Sequence, residues 1–531
     1  MRSAPRRFAE PARPELPKAT VRFEFYRLVS GELRQLVPPL PGQRLAAAVH
    51  GAFATLAAMH LRQFVLPSLG HVSALMADDA RGVGAVVDPR RDVDIYLEEA
   101  RARELRITHV FETHLHNDYV SGGLELAEMT GAIHVIGAGA ELTTPFLGVR
   151  DGDLVDVGSL RVVAIETPGH TPEHVSYAVA DRARAAEPVL LFTGGSLLVG
   201  AVGRTDLLGA DNARPFARAM FSSLHEKLLQ HHDYVGVLPT HGAGSLCSKS
   251  ISSTPSSTIG YERRHNPLLQ VDEVESFVDA LLAGQPAFPH YFARMRSLNQ
   301  AGPRPIGAVP GPRPLRLERV RELLAGDHLL VDLRSPAAHA VAHVPGSISI
   351  PAGDSFGTWL GWVVDFDRPL VLVLERPEDW DDAVRQALRI GYEHVEGHLQ
   401  GGFGTWQDGG EPVEASGRMT VGQLREALAG GVGGGGSAGR DGEGPVVIDV
   451  RQADEYAAAH VPGAVHLMCG DLPDRLAELP RDRPILAMCA SGMRSSVAAS
   501  LLRRAGFEDV SWVAGGVTAW RASGFPVEKG S

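Results

Sequence analysis

The second half of the chain repeats itself, and this repeat limits its fold more than any other feature. Val331-Asp332-Leu333-Arg334 leads to His343-Val344-Pro345-Gly346, and Ile448-Asp449-Val450-Arg451 leads to His460-Val461-Pro462-Gly463 at the same spacing. Each copy closes on a matching segment, Gly401-Gly402-Phe403-Gly404-Thr405-Trp406 in one and Gly515-Gly516-Val517-Thr518-Ala519-Trp520 in the other. Agreement of spacing and of both ends marks one domain used twice. In each copy the alternation of strand, helix and short apolar strand predicts a parallel sheet covered by helices on both faces. The expected domains are residues 316–411 and 417–527. The glycine-rich run Gly430 to Gly444 reads as a flexible loop inserted between helix Val421–Ala429 and strand Pro445–Val450.

The first half has a different organisation, with histidines recurring at the ends of expected strands. Ile107-Thr108-His109-Val110-Phe111 is β-branched and aromatic, as a buried strand should be, and it runs into Thr113-His114-Leu115-His116-Asn117-Asp118. Two imidazoles two residues apart, with a carboxylate two further on, can converge on one side of a tight loop. They are suitable ligands for zinc or ferrous iron. Strand Leu160–Glu166 ends at Thr167-Pro168-Gly169-His170, where glycine and proline stiffen the loop. Strand Tyr234–Pro239 ends at Thr240-His241-Gly242. Other expected elements are strands over Gln63–Ala77, Gly82–Asp88, Ile133–Ile136 and Val189–Thr193. Helices are expected over Asp92–Glu104, with Asp92 as N-cap, over Leu124–Thr130 and over Val271–Leu282. Proline recurs through 284–316, as in a linker. Tyr291 to Met295 is expected to pack back on the first domain.

Over about residues 60 to 300 this pattern resembles the metallo-β-lactamase superfamily. The resemblance implies an αββα sandwich with a metal at one edge. Within the superfamily the segment Ser257-Thr258-Ile259-Gly260-Tyr261-Glu262-Arg263-Arg264-His265-Asn266-Pro267 is similar to the part of persulfide dioxygenases that receives a low-molecular-weight thiol. That likeness implies Tyr261, Arg263, Arg264 and Asn266 as substrate-binding residues, the cations suiting the carboxylates of a thiol such as glutathione. It also implies metal ligation by His114, His116, Asp118, His170 and His241. The chain departs from the superfamily at two places. Tyr119 stands where a further histidine is usual, and a phenol with pKa near ~10 is a poor ligand at neutral pH. This favours one metal over two. Thr193-Gly194-Gly195 replaces Thr-Gly-Asp, so the third position of a two-histidine, one-carboxylate iron site falls on Gly195. Asp118, Asp206, Asp211 or water are the candidate substitutes.

Each repeat copy resembles a rhodanese domain. In the last copy, strand Pro484–Met488 ends at Cys489-Ala490-Ser491-Gly492-Met493-Arg494, followed by helix Ser495–Ala505. A cysteine on a loop at a helix N-terminus meets converging backbone amides, which favour its thiolate. Arg494 adds a positive charge for an anion such as thiosulfate. A cysteine-dependent phosphatase would place arginine at the position of Ser495; here it comes one residue earlier, as in rhodaneses. Cys489 can therefore accept a sulfane sulfur as a persulfide. The middle copy has Leu374-Glu375-Arg376-Pro377 at the corresponding place and no cysteine, which implies a structural or docking role. Cys247 reads as structural ahead of a redox thiol near the metal, and Cys469 has no supporting constellation.

Length and charge limit the function. The 531 residues suit about three domains, and a net charge of −12 argues against binding nucleic acid through its phosphates. No run approaches the ~20 apolar residues of a membrane span. Three scattered cysteines make no disulfide framework and fit a reducing cytoplasm. Residues 1–58, rich in Arg, Pro and Ala, read as a poorly ordered extension. The expected architecture is a multi-domain α/β chain: an αββα sandwich over 59–300, a linker over 301–315, and two rhodanese-like domains, the first inactive. The implied function is oxidation of a thiol persulfide by dioxygen at one Fe(II), with zinc as the alternative metal. It is coupled to sulfur exchange with thiosulfate or sulfite, in sulfide detoxification. A homo-oligomer is compatible with this. The rivals are a zinc thioester hydrolase of the glyoxalase II kind and a sulfurtransferase whose first domain has lost its metal.

Overall fold

The structure, a computed structural model, describes residues 59–430 and 444–530. The expected extension 1–58 and most of the glycine-rich insertion lie outside the described residues.

Two six-stranded sheets form the first domain. In one, Met59–Leu66, His71–Asp78 and Val83–Val87 run antiparallel, and Arg106–Phe111, Ile133–Gly137 and Leu147–Val149 continue the sheet in parallel. In the other, Leu154–Val157, Leu160–Glu166, Val175–Asp181 and Leu190–Gly194 are antiparallel neighbours. Gly236–Pro239 lies parallel to Leu190–Gly194. His71–Asp78 and Val175–Asp181 are buried along their whole length, because each is an inner strand with its sheet covered on both faces. Between the sheets, Met76, Val87, Phe111, Val135, Val162, Tyr177 and Phe192 form one core. This is the αββα sandwich.

The segment read as one strand over Gln63–Ala77 is two strands joined by a turn at Pro67–Gly70. Gly70 takes φ +61° there, and a Cβ on it would collide with the backbone of Ser245. Asp92 is no helix cap either: the helix is Asp94–Ala102, with Val93 at its N-cap. The Asp92 carboxylate is buried and accepts two hydrogen bonds from Arg389 of the middle domain, at 2.8 and 2.6 Å. Arg385 reaches the same carboxylate at 3.2 Å and pairs with Asp94 at 2.7 Å.

A buried ion pair adds little net stability, but removing one partner strands the other charge. Asp92→Ala is therefore expected to cost about 3–5 kcal/mol, seen as a lower urea midpoint. A loss below about 1 kcal/mol would class the pair with exposed ones.

The two later domains carry five-stranded parallel sheets of the same order. Strands run Pro314–Leu315, Val395–Leu399, Leu370–Val373, Leu329–Asp332, Ile348–Ser349 in the middle domain. They run Gly417–Thr420, Val510–Ala514, Ile485–Met488, Val446–Asp449, Val465–His466 in the last. The repeat reappears atom by atom. Arg334 binds Asp332 at 2.6 Å and the Ala342 carbonyl at 2.8 Å, while Arg451 binds Asp449 at 2.6 Å and the Ala459 carbonyl at 2.7 Å.

The helix Phe292–Ala301 lies against the first domain. Asn299 Nδ2 donates to the carbonyls of His116 and Tyr119, each at 2.9 Å, and Tyr291 Oη donates to the Asp118 carbonyl at 2.8 Å. The chain between the domains thus braces the histidine loop.

Candidate functional site

Strand ends from both sheets meet at one edge of the sandwich. Val175 N donates to Thr113 O at 2.8 Å, Val72 N to Thr240 O at 2.7 Å, and Thr240 N to Gly194 O at 3.1 Å. Tying the loops together in this way brings His114, His116, His170 and His241 side by side. Ring centroids are 4.2 Å apart for His114–His116, 4.8 Å for His114–His170 and 5.4 Å for His170–His241. All four are buried.

Their free nitrogens identify what the cluster can do. His170 Nδ1 donates to the Arg204 carbonyl at 2.7 Å, and His114 Nδ1 lies 2.8 Å from Thr113 Oγ1. The Nε2 atoms of both are buried without a hydrogen-bond partner. A neutral imidazole with Nδ1 held by a backbone or hydroxyl oxygen and Nε2 bare is the form that binds metal. Burial, with the His241 charge adding to it, pushes His170 down to about 3. Burial together with His116 and the other imidazoles holds His114 well below the usual histidine range. Both rings are neutral donors.

Asp118 is buried, with Oδ2 3.2 Å from His241 Nδ1. Burial disfavours charge on the two groups. The Cys247 and Asp118 charges still hold His241 well above its usual range, and His241 keeps the Asp118 carboxylate below its own. The orphaned nitrogens and this carboxylate fit a divalent cation.

Of the other acidic candidates, Asp206 is committed to Arg204 at 2.6 and 2.8 Å, and Asp211 is exposed in the first turn of helix Ala210–Ser222. Neither belongs to the cluster. At Gly195 a Cβ would collide with the His170 ring, and the Gly195 amide donates to His174 Nε2 at 2.9 Å. An aspartate cannot be placed there on this backbone. Tyr119 is a wall of the site: its ring stacks on His116 at 4.4 Å, and its hydroxyl points to the Asp88 carbonyl. Burial, reinforced by Asp88, keeps that phenol protonated.

Of the cluster's other residues, one was missed from the sequence and one was read chiefly as structural. Asp88 accepts from Thr113 N at 2.7 Å, Thr113 Oγ1 at 3.0 Å and the Thr240 hydroxyl, and lies 3.3 Å from His116 Nε2. One carboxylate thereby fastens three strand ends; its place at the end of a strand was the available signal. Cys247, read as structural, groups with His170 and His241, their ligand atoms all within 4.8 Å of one another.

The thiol-receiving candidates are on helix Ile259–His265 and just after it. Tyr261 is exposed. Arg263 and Arg264 both pair with Asp233, Arg264 at 2.6 Å. Asn266 is fully buried, with its amide on the Ala201 carbonyl at 2.9 Å and on Glu262 at 3.1 Å, so it shapes the fold and does not face solvent.

In the last domain the Cys489 loop runs between strand Ile485–Met488 and helix Met493–Arg504. Gly492 N donates to Cys489 Sγ at 3.1 Å, and Ser495 Oγ lies 3.6 Å away. The repeat's closing glycines clamp this loop. Val517 N donates to Cys489 O at 2.8 Å, and a Cβ on Gly516 would strike that carbonyl. Arg494 is held by two hydrogen bonds to Glu455, at 2.5 and 2.8 Å, so its charge is shared with a carboxylate. Cys469 Sγ sits 3.5 Å from the Arg494 carbonyl; burial, with the Cys489 charge adding, raises its thiol.

The comparisons agree with both halves. A family model for the rhodanese-like domain matches residues 317–408 and 437–523. A metallo-beta-lactamase from Staphylococcus aureus subsp. aureus COL is 31% identical, with a TM-score of 0.59, over 65% of this chain and 99% of that one. The mitochondrial persulfide dioxygenase ETHE1 of Bos taurus is 28% identical over 229 residues, 42% of this chain and 80% of that protein. The thiosulfate sulfurtransferase GlpE of Pseudoalteromonas translucida is 41% identical over 83 residues, 16% of this chain and 79% of that protein. The chain spans 45% and 46% of the length of two uncharacterized mycobacterial relatives that it matches.

Proposed function

The chain belongs to the metallo-β-lactamase-fold and rhodanese families, as a fusion of the two, and on that premise we propose that it oxidises thiol persulfides and exchanges the sulfur produced. One observation carries the reading: the histidine cluster and Cys489 are joined through a single packed core. Tyr291, hydrogen-bonded to Asp118 O, packs on Gly361; the adjacent Trp362 covers Gly470; and Cys469 beside it touches Arg494. Cys247, Tyr291, Trp362, Cys469 and Cys489 belong to one apolar cluster. Two sites that share sulfur intermediates gain effective concentration from such a union.

His114, His170 and Asp118, with His116 and His241 beside them, would hold the metal. A ferrous ion there would supply the one-electron chemistry that lets dioxygen react with sulfur. Asp88 and Arg204 keep the imidazoles oriented. The overall reaction is RSSH + O2 + H2O → RSH + SO3(2−) + 2H+, in which the terminal sulfur is oxidised and dioxygen reduced. At Cys489 a second thiol persulfide would load the thiolate, RSSH + Cys–S(−) → RSH + Cys–S–S(−), and the outer sulfur would then pass to sulfite: Cys–S–S(−) + SO3(2−) → Cys–S(−) + S2O3(2−). Exposed Arg263 and Arg264 can exchange Asp233 for the carboxylates of the thiol. Three unpaired cysteines suit the cytoplasm, and among the described residues no helix is long and apolar enough to cross a membrane.

The test is oxygen uptake by iron-loaded protein given glutathione persulfide. One dioxygen per persulfide, with sulfite formed, is expected. Folded, iron-loaded protein that takes up none would sink the proposal. Hydrolysis of a glutathione thioester by that protein would select the hydrolase instead.

A further inference from the structure

We propose that Cys247 is a thiolate donor to the metal of the first domain, standing in for the carboxylate that position 195 lacks. This rests on the metal reading above. The thiol belongs to the same pocket as the imidazoles: the ligand atoms of His170, His241 and Cys247 form one compact set, those of His114, His116 and His241 form another, and His241 is common to both. The Nε2 atoms of His114 and His170 are buried in this pocket without partners.

A single residue holds the imidazole and the thiol in step. The Arg204 carbonyl accepts from His170 Nδ1 at 2.7 Å, and the Arg204 amide donates to the Cys247 carbonyl at 2.8 Å. The Arg204 guanidinium binds the neighbouring Leu246 carbonyl at 3.0 Å, and Ser245 Oγ accepts from Cys247 N at 3.1 Å. Since the His170 ring occupies the direction a side chain at 195 would take, a donor that joins the imidazoles and Asp118 in its place comes from another loop. The loop after His241 brings sulfur.

On binding, the S–H bond breaks, a sulfur–metal bond forms and the proton leaves to solvent, with no change of oxidation state. A set of imidazoles with one thiolate is softer than two imidazoles and a carboxylate, and favours zinc, iron or cobalt over magnesium or calcium.

The probe is Co(II), added to the full chain carrying Cys469→Ser and Cys489→Ser. The chain has three cysteines, so Cys247 is then its only thiol. A near-ultraviolet thiolate-to-cobalt charge-transfer band is expected, saturating at one cobalt per protein. Adding Cys247→Ser should remove the band, keep the visible ligand-field bands from the imidazoles, and weaken cobalt binding by at least about tenfold. Visible bands without the charge-transfer band in the Cys247-containing protein would overturn the proposal and leave the metal reading standing. That result does not depend on the Cys247→Ser variant folding. Failure to bind cobalt at all would overturn both.

Discussion

Cys489→Ser is expected to lower sulfur transfer from thiosulfate to a thiophilic acceptor such as cyanide by on the order of 10^6-fold, as loss of a covalent nucleophile does elsewhere. The substitution keeps a hydroxyl in the same space, so the loop should hold. Gly492 N can donate to oxygen as it does to sulfur, and Val517 N, Thr518 N and Gly515 N clamp the carbonyls of Cys489, Ala490 and Ser491 from behind. What is lost is the thiolate, and with it any persulfide. Iron-dependent oxygen uptake should persist, because the histidine pocket lies in a different domain. Transfer retained at more than a few per cent would refute Cys489 as the carrier. The Cys489 loop has no counterpart in the middle domain, where Glu375 follows the equivalent strand and accepts from Ser335 N at 2.9 Å. The middle copy contributes instead through Arg385 and Arg389, which bind the first domain, and through Trp362, which covers the Cys469–Gly470 turn.

What the sequence disclosed and what it hid divide by how local the physics is. The repeat was legible because its chemistry is short-range: Asp332 with Arg334 and Asp449 with Arg451 are pairs two residues apart, each reaching a carbonyl eight residues on. The histidine loops were legible because each follows a β-branched strand. Asp92 was misread as a cap because its partner Arg389 is 297 residues away. The turn at Gly70 was missed because the backbone that demands a glycine there belongs to Ser245. Arg494 was expected to supply a positive charge for an anion such as thiosulfate, and only the fold reveals Glu455 across from it. Asp206 and Asp211 looked as good as any carboxylate for the metal, since no pattern in the chain shows that one is engaged by Arg204 and the other exposed. Cys247 read as structural ahead of a redox thiol near the metal for the same reason: the path of the loop from His241 back to Arg204 is tertiary information.

His170→Ala should have the larger consequence for the first domain. Loss of a residue that merely orients a metal ligand costs roughly 10- to 100-fold in metal affinity. Loss of His170 removes a donor outright, so the metal affinity should fall further, and oxygen uptake with it to background. In the parent the ring is already neutral at any physiological pH, being pushed down to about 3 by burial and by His241, so raising the pH should not tighten metal binding through His170. Asp88→Asn provides the comparison. It touches no metal in this reading, but it fastens Thr113, Thr240 and His116, and so belongs in the 10- to 100-fold class. Metal content after dialysis, measured for the two variants beside the parent, separates these outcomes without reference to turnover. If His170→Ala retained metal as well as Asp88→Asn does, His170 would be no ligand, and the free Nε2 would need another purpose. In both variants sulfur transfer at Cys489 should stay at the parent level, because neither residue touches the last domain. A parallel fall there would mean instead that damage had spread through the shared core around Tyr291 and Trp362.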